Sequence, residues 1–389
     1  MIKKFKLLHI TYDLRDRLKR EKTTAVKNLI DISAKIGYAA VIDLVRVPFL
    51  HQEKLECSSS ENVVIDSFGL PYGLFLKRTL DRVLGHIFKA EQSGFLNLNT
   101  INIVHAHKLT YEGYIGFKIC KKLNLPLVIS LRQTDTMVLS RKPHLLNLYK
   151  EILSYSSTIF YLNPYTKVVI EKRLGTDFYN SDIKNKMVLL PNIVERELPT
   201  ANQNQVPRRN LITILRMDKK SVKRKNIKRL LEAFSLINDE DLKLNIIGSG
   251  DYIYKVKSWV KKYKLLKRVN FLGRISNKEI DTYYRSSLAF LLPSLSESFG
   301  LVYAEALING TPILYSKNCL GFDGYFDNVG AAVDPLSVNS IRDGILDCIS
   351  KNLFYQETIN ELNRNDAFKI FSSSSVQKIY SEVLNKIIN

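Results

Sequence analysis

Short apolar runs alternating with helical periodicities, in two successive sets, constrain this chain more than any other feature of its sequence. Lys6 to Thr11 and Ala39 to Val45 read as strands around a helix over Thr23 to Ile36 that Gly37 ends. Ile101 to His105, Pro126 to Leu131, Ser157 to Leu162 and Met187 to Leu190 continue the strand series. Helices over Gly113 to Leu123 and Tyr165 to Leu174 fall between them. Strand–helix alternation of this kind specifies a parallel α/β sheet, because parallel strands need a crossover.

The segment ELPTANQNQVPRRN, Glu197 to Asn210, breaks the pattern. It is polar and holds two prolines, the composition of a linker. A second set follows. Its strands are Leu211 to Leu215, Leu242 to Ile247, Val269 to Leu272, Leu288 to Leu292 and Pro312 to Tyr315. Its helices are Ile227 to Leu236, Tyr252 to Tyr263, Asn277 to Ser286 and Gly300 to Asn309. The expected division is residues 1–198, a linker over 199–210, residues 211–365, and a C-terminal helix over 366–389 that packs back toward the first domain. A length of 389 residues suits two domains.

Formal net charge is +20, from 58 Lys and Arg against 38 Asp and Glu. Such a field attracts polyanions and says nothing of fold. The four cysteines are far apart, with no C-x-x-C pair, which fits neither a zinc site nor a disulfide framework. No stretch reaches the ~20 apolar residues that span a bilayer. The N-terminus reads as a first strand, not a signal peptide. The expected location is cytoplasmic, with membrane contact only at the surface.

The chemistry concentrates in FLLPSLSESFGLVYAEALINGTPILYS, Phe290 to Ser316. A buried strand ends at Pro293, and a loop carries Ser294, Ser296, Glu297 and Ser298. A helix opens near Gly300 and stops at Gly310. Its N-terminus offers free N–H groups and a partial positive charge, a ready seat for phosphate. Glu305 lies inside the apolar helix and requires a partner or a ligand hydroxyl unless it faces solvent. Gly248-Ser249-Gly250 lacks the third glycine of a dinucleotide fingerprint, so NAD is not expected. The Asp-x-Asp at Asp239 and Asp241 reads as a polar turn, not a metal site.

Glu297-x₇-Glu305 within ESFGLVYAEAL resembles the signature of the family 4 retaining glycosyltransferases. VLLPNIV, ILRMDKKSVKRKNIKRLLEAF, LKLNIIGSGDY, VNFLGRIS, INIVHAHKLTYEG and LRQTDT resemble further segments of that family. The resemblance covers nearly the whole chain. It implies a GT-B fold, two Rossmann-like doubly wound domains facing across a cleft, with the acceptor on the first and the nucleotide-sugar on the second. It assigns Arg216 and Lys225 to the donor diphosphate, with Lys223 the alternative to Lys225. Glu297 would contact the transferred sugar and Glu305 the ribose. The amides of Phe299, Gly300 and Leu301 would cradle the diphosphate or sugar, and Gly273 and Arg274 would hold the base edge. Gly248 and Gly250 would line the cleft with no side chain to strike the donor, and Asn192 would line it too. His107 and Asp135 fall near the reacting centre, His107 being alternatively a hydrogen-bonded residue under a loop. His105 reads as a core strand end. Arg132, where the family usually has histidine, and Thr24, where it usually has a glycine-rich loop, leave the acceptor open.

The implied reaction is retaining transfer from a nucleotide diphosphate-sugar, a UDP-sugar first, to a glycan or lipid-linked acceptor. The setting would be bacterial cell-surface polysaccharide, lipopolysaccharide, capsule or glycolipid synthesis. It needs no cofactor and no metal. A sugar-nucleotide epimerase or phosphorylase on the same fold is a rival, as is a basic nucleic-acid-binding protein, though no nucleic-acid motif accompanies the basic runs. PYGLFLKRTLDRVLGHIFKA, Pro71 to Ala90, carries Leu76, Leu80, Val83, Leu84 and Ile87 on one stripe among basic residues. It reads either as a core-facing helix or as a helix lying on an anionic membrane on the cytoplasmic side.

Overall fold

The computed structural model describes residues 5–14, 24–47, 54–60, 62–71, 77–92, 96–141, 143–194, 196, 208, 210–276, 279–318 and 321–388. The chain divides into two compact units. The first comprises 1–162, 166–193 and 374–389, and the second 163–165 and 194–373. The second unit therefore begins at Val194. Most of the polar segment expected as linker lies outside the described residues.

The first unit holds strands β1 (Phe5–Thr11), β2 (Gly37–Val47), β3 (Lys54–Ser60), β4 (Val63–Pro71), β5 (Ile103–Ala106), β6 (Leu127–Leu131), β7 (Thr158–Tyr161) and β8 (Met187–Leu189). They form one sheet in the order β3-β4-β2-β1-β5-β6-β7-β8, parallel except for the antiparallel edge strand β3. The helices are α1 (Thr24–Ile36), α2 (Lys77–Gln92), α3 (Tyr111–Leu123), α4 (Gln133–Arg141), α5 (Leu146–Tyr155), α6 (Pro164–Leu174), α7 (Asp177–Asn180) and α8 (Ile183–Lys186). Leu7, Leu8 and Ile10 on β1 are wholly buried, as a central parallel strand covered on both faces requires. Gly116 lets α3 press onto the sheet; a Cβ there would lie 3.1 Å from Leu127 Cδ1.

The second unit holds β9 (Asn210–Ile214), β10 (Lys243–Ile247), β11 (Val269–Gly273), β12 (Ser287–Leu291), β13 (Ile313–Ser316) and β14 (Gly330–Val333), an all-parallel sheet ordered β11-β10-β9-β12-β13-β14. Around it lie α9 (Lys219–Arg224), α10 (Ile227–Ser235), α11 (Ile253–Lys262), α12 (Ile280–Arg285), α13 (Leu301–Ile308), α14 (Val338–Ser350) and α15 (Asn352–Arg364). The amphipathic α10 buries Ile227, Leu230, Leu231, Ala233 and Phe234, each worth ~1–3 kcal/mol of transfer.

The last helix, α16 (Ser373–Ile388), belongs with the first unit. Its Val376, Tyr380 and Leu384 pack with Phe5, Leu7, Leu29 and Phe160.

The helix α2 takes the core-facing of its two readings. Leu80, Val83, Leu84 and Ile87 lie in the first unit's core, while Lys77, Arg78 and Arg82 face solvent; Leu76 lies outside the described residues. The apolar stripe is consumed by packing against the sheet and offers nothing to a bilayer.

Candidate active site

The site in the second unit is assembled by three loops that follow β9, β10 and β12. The β9 and β10 loops continue the ladder of their strands. Leu215 N donates to Ile247 O at 3.0 Å, Met217 N to Ser249 O at 2.9 Å and Tyr252 N to Met217 O at 2.8 Å. This close pairing explains Gly248 and Gly250. Their φ values are +134° and +152°, and a Cβ would lie 1.8 Å from Leu215 O and 2.6 Å from Met217 O respectively. The sequence reading gave these glycines a ligand to avoid; what they avoid is the neighbouring backbone.

The paired loop delivers Arg216 and Asp218. Asp218 caps α9, its Oδ1 accepting from Ser221 N at 2.8 Å. Arg216 stands beside it, Nε 3.3 Å from Asp218 Oδ2, with 84% of its side chain exposed. At the other end of α9, Lys225 turns inward and donates to Glu297 Oε2. These two side chains are only 12% and 9% exposed, so the pair is nearly desolvated. Lys223 is exposed on α9. Of the two lysines, Lys225 is the one that reaches the acidic loop.

That loop is held from several sides. Leu295 N donates to Arg224 O at 2.8 Å, Ser316 Oγ to Ser294 O at 2.7 Å, and Asn163 Nδ2 to Ser298 O at 3.0 Å. Gly300 precedes α13 with φ +79° and ψ +61°; a Cβ there would strike the Tyr303 ring at 2.3 Å. No side chain caps α13, so the amides of its first turn keep their capacity for an anion. The Phe299 ring packs against Tyr325 and Phe371, which leaves its backbone at the helix entrance. Past the far end, Gly310 takes φ +71° and Thr311 N donates to Ala306 O. Arg274, after β11, is exposed.

Glu305 is partnered on both oxygens. Tyr284 Oη donates to Oε2 at 3.1 Å and Arg196 Nη2 lies 3.5 Å from Oε1. Arg196 also reaches Asp281 at 3.4 Å. Burial first, then Glu305, push the Tyr284 hydroxyl well above its ordinary pKa, so it stays a donor. Arg196, Tyr284 and Asp281 were invisible to motif reading; Arg196 falls just before the polar segment, in the stretch expected to close the first domain, yet belongs with the second unit.

In the first unit the expected acceptor-side residues are interior. His107 is wholly buried, with Nε2 3.0 Å from His9 Nδ1. His9 Nε2 lies 2.9 Å from Ser33 Oγ, and His105 lies 2.8 Å from both Tyr380 Oη and Ser130 Oγ. Among the described residues this is the cluster that brings three metal-capable side chains together, but it holds no carboxylate, and burial first, then the neighbouring histidines and Arg132, lower the pKa of both His105 and His107. A ring with no exposed surface cannot touch a substrate, so the hydrogen-bonded reading of His107 replaces the catalytic one.

Asp135 is likewise buried, accepting from Leu109 N at 3.1 Å and Arg132 N at 2.8 Å. It ties two loops together instead of facing an acceptor, and burial lifts its pKa to about 7. Arg132 donates from Nε to His107 O at 3.2 Å. It also lines a small cavity of the first unit with Asn192, Ser130 and Leu29. Thr24 opens α1; its side chain lies outside the described residues. Lys108, 2.6 Å from Asp13 and 3.9 Å from the buried Glu112, completes a charged network that motif reading missed. The i,i+4 spacing of Lys108 and Glu112 was the available signal.

His9 yields a prediction. Burial lowers its pKa from 6.5 to about 3, so the folded state holds it neutral while the unfolded state protonates it below 6.5. Its stability contribution is complete above pH 6.5 and is lost as pH falls toward 3, at up to ~1.4 kcal/mol per pH unit. Stability of His9→Gln measured by urea unfolding between pH 6 and 4 should fall less steeply than that of the parent, by about one proton. Equal slopes would show that His9 is charged in the fold.

Two doubly wound parallel-sheet domains, the second with a phosphate-ready helix end flanked by a cation and a carboxylate, have the GT-B fold. Residues 210–365 match the family Glycosyl transferases group 1, so the second unit carries a glycosyltransferase domain of that description. An uncharacterized glycosyltransferase of Methanocaldococcus jannaschii is 25% identical over 291 residues, 73% of this chain and 76% of the relative. An alpha-monoglucosyldiacylglycerol synthase of Streptococcus pneumoniae is 35% identical over 96 residues, 24% of this chain and 22% of that protein. In three dimensions the chain is similar to Anabaena HepE, solved in complex with UDP and glucose, with TM-score 0.65 and 15% identity over 98% of this chain and all of the other.

Proposed function

We propose that the protein is a retaining glycosyltransferase that takes a sugar from a nucleotide diphosphate-sugar, a UDP-sugar first, to a glycan or lipid-linked acceptor in cell-surface polysaccharide or glycolipid synthesis. The observation that carries this reading is the nearly desolvated Lys225–Glu297 pair beside the uncapped start of α13. The diphosphate binds at that helix end, with Lys225 and Arg216 as its cations. Glu297 then faces the transferred sugar, and Glu305 accepts from the ribose hydroxyls. Two further likenesses support the donor and acceptor classes: HepE was solved with UDP and glucose, and the streptococcal relative is named for a glycolipid product.

Charge grows on the leaving diphosphate as its bond to the anomeric carbon breaks. Arg216, Lys225 and the α13 amides stabilise that charge, and the acceptor hydroxyl enters on the same face, giving its proton to the phosphate. Positioning and electrostatics supply the rate without a metal. The Asp239 carboxylate caps its own turn, accepting from Asp241 N and Leu242 N, which leaves a surface role for the Asp-x-Asp.

A thermal-shift screen of UDP-, GDP-, ADP- and CMP-sugars tests the donor class. One nucleotide series should raise the melting temperature by mass action, by roughly 2–3 kcal/mol of stability at a hundredfold excess over Kd. No shift with any of them removes the reading.

A further inference from the structure

The second unit carries a charged surface that the donor site does not use. In α11 the residues Val256 and Val260 are buried, and Tyr254, Lys255, Lys257, Ser258, Lys261 and Lys262 are exposed. At 3.6 residues per turn, Tyr254 falls at the middle of the exposed face. Lys257 and Lys261 flank it on one side and Lys255 and Lys262 on the other. The turn beyond the helix adds Lys264, Leu266 and Lys267, all exposed. Tyr254 and Leu266 are exposed to 65% and 67%.

The stretch carries no acidic residue of its own. No Asp or Glu occurs between Asp251 and Glu279. Among the described residues, none of these six lysines takes part in an ion pair. Arg268, the remaining cation of the run, is turned inward, donating to Ile237 O and lying over the Phe234 ring. The surface is therefore a lysine-rich helix face with an exposed aromatic side chain near its start and an exposed leucine in the turn beyond its end.

We propose that this α11 face docks on an anionic lipid bilayer. Lysines near an anionic membrane surface are drawn to it by its potential. Tyrosine suits the headgroup level, and a projecting leucine enters the acyl boundary. A nucleic acid would use the same charge, but sequence-tolerant strand binding relies on a groove with aromatic platforms. A lysine-rich helix face with an exposed Leu266 in the turn beyond its end favours lipid. The inference concerns α11 alone and stands whether or not the donor assignment is right. It relocates membrane contact from α2, whose apolar stripe is buried, to the second unit.

The test is sedimentation of the full chain with vesicles of pure phosphatidylcholine and with equimolar phosphatidylglycerol and phosphatidylcholine. The expected result is binding to the anionic vesicles alone, weakened by salt. Lys257→Glu/Lys261→Glu should lower the partition coefficient at least about tenfold, as the loss of roughly 1 kcal/mol per lysine near the surface implies. Tyr254→Ser/Leu266→Ser should lower it severalfold without changing the salt dependence. All variants should keep the parent melting temperature, which separates a docking defect from a folding defect. Equal binding by parent and charge-reversal variant, no binding by the parent, or displacement of the bound chain by a random single-stranded oligonucleotide with loss of the Tyr254 and Leu266 effect would overturn the proposal.

Discussion

Lys225→Ala is expected to cut turnover by about a hundredfold or more, in line with removing one preorganised charge from a developing oxyanion. The loss should fall mainly on kcat, because the diphosphate gains charge only as the sugar departs. Two features make Lys225 the cation of choice. It is 12% exposed and paired with Glu297, so its charge acts through little water. It is also fixed by the C-terminal end of α9, where its N–H donates to Ser221 O at 2.8 Å. Lys223→Ala supplies the control. That side chain is exposed on α9, and its loss should change the rate within about twofold, as for a solvated surface charge. Steady-state kinetics of both variants decides. Comparable losses would mean that the donor is held by diffuse charge, and an active Lys225→Ala enzyme would remove this residue from the site.

Gly248→Ala is expected to destabilise the second unit by roughly 3–5 kcal/mol, a drop of roughly 10 °C in melting temperature. The added carbon has no free volume: it would lie 1.8 Å from Leu215 O, a carbonyl fixed by the β9–β10 ladder. The backbone also sits at φ +134°, where L side chains are strained. Gly273→Ala is the matched control. Its φ is +71° but nothing lies within 4 Å of the added carbon, so only the left-handed cost of about 1–2 kcal/mol applies. Thermal unfolding of the pair separates clash from strain. Equal effects would show that the loops after β9 and β10 relax apart.

The alternation of strands and helices was legible because a parallel strand buried on both faces is mostly apolar, as β1 (FKLLHIT) and β12 (SLAFL) are. What escaped notice follows the same logic. The edge strand β3, KLECSSS, has neither an apolar run nor a clean alternation, and β14, GAAV, is a four-residue run of small side chains. The donor loop was legible too, since Glu297, Gly300 and Glu305 are fixed by local geometry within one strand–loop–helix. Roles that depend on burial were not. His107 and Asp135 have the chemistry of catalytic groups, yet both are buried and held from other segments: His107 Nε2 by His9 of β1, and Asp135 by the backbone of Leu109 and Arg132. The grip of Arg196 on Glu305 spans more than a hundred positions and leaves no local trace in either residue's neighbourhood.

A crystal of the protein soaked with UDP tests the central claim most directly. The account predicts diphosphate density at the start of α13, against the amides that follow Gly300, with Lys225 and Arg216 on the phosphate oxygens and Glu305 on the ribose. Density for the nucleotide elsewhere on the molecule, with the Lys225–Glu297 pair and the α13 entrance untouched, would contradict it.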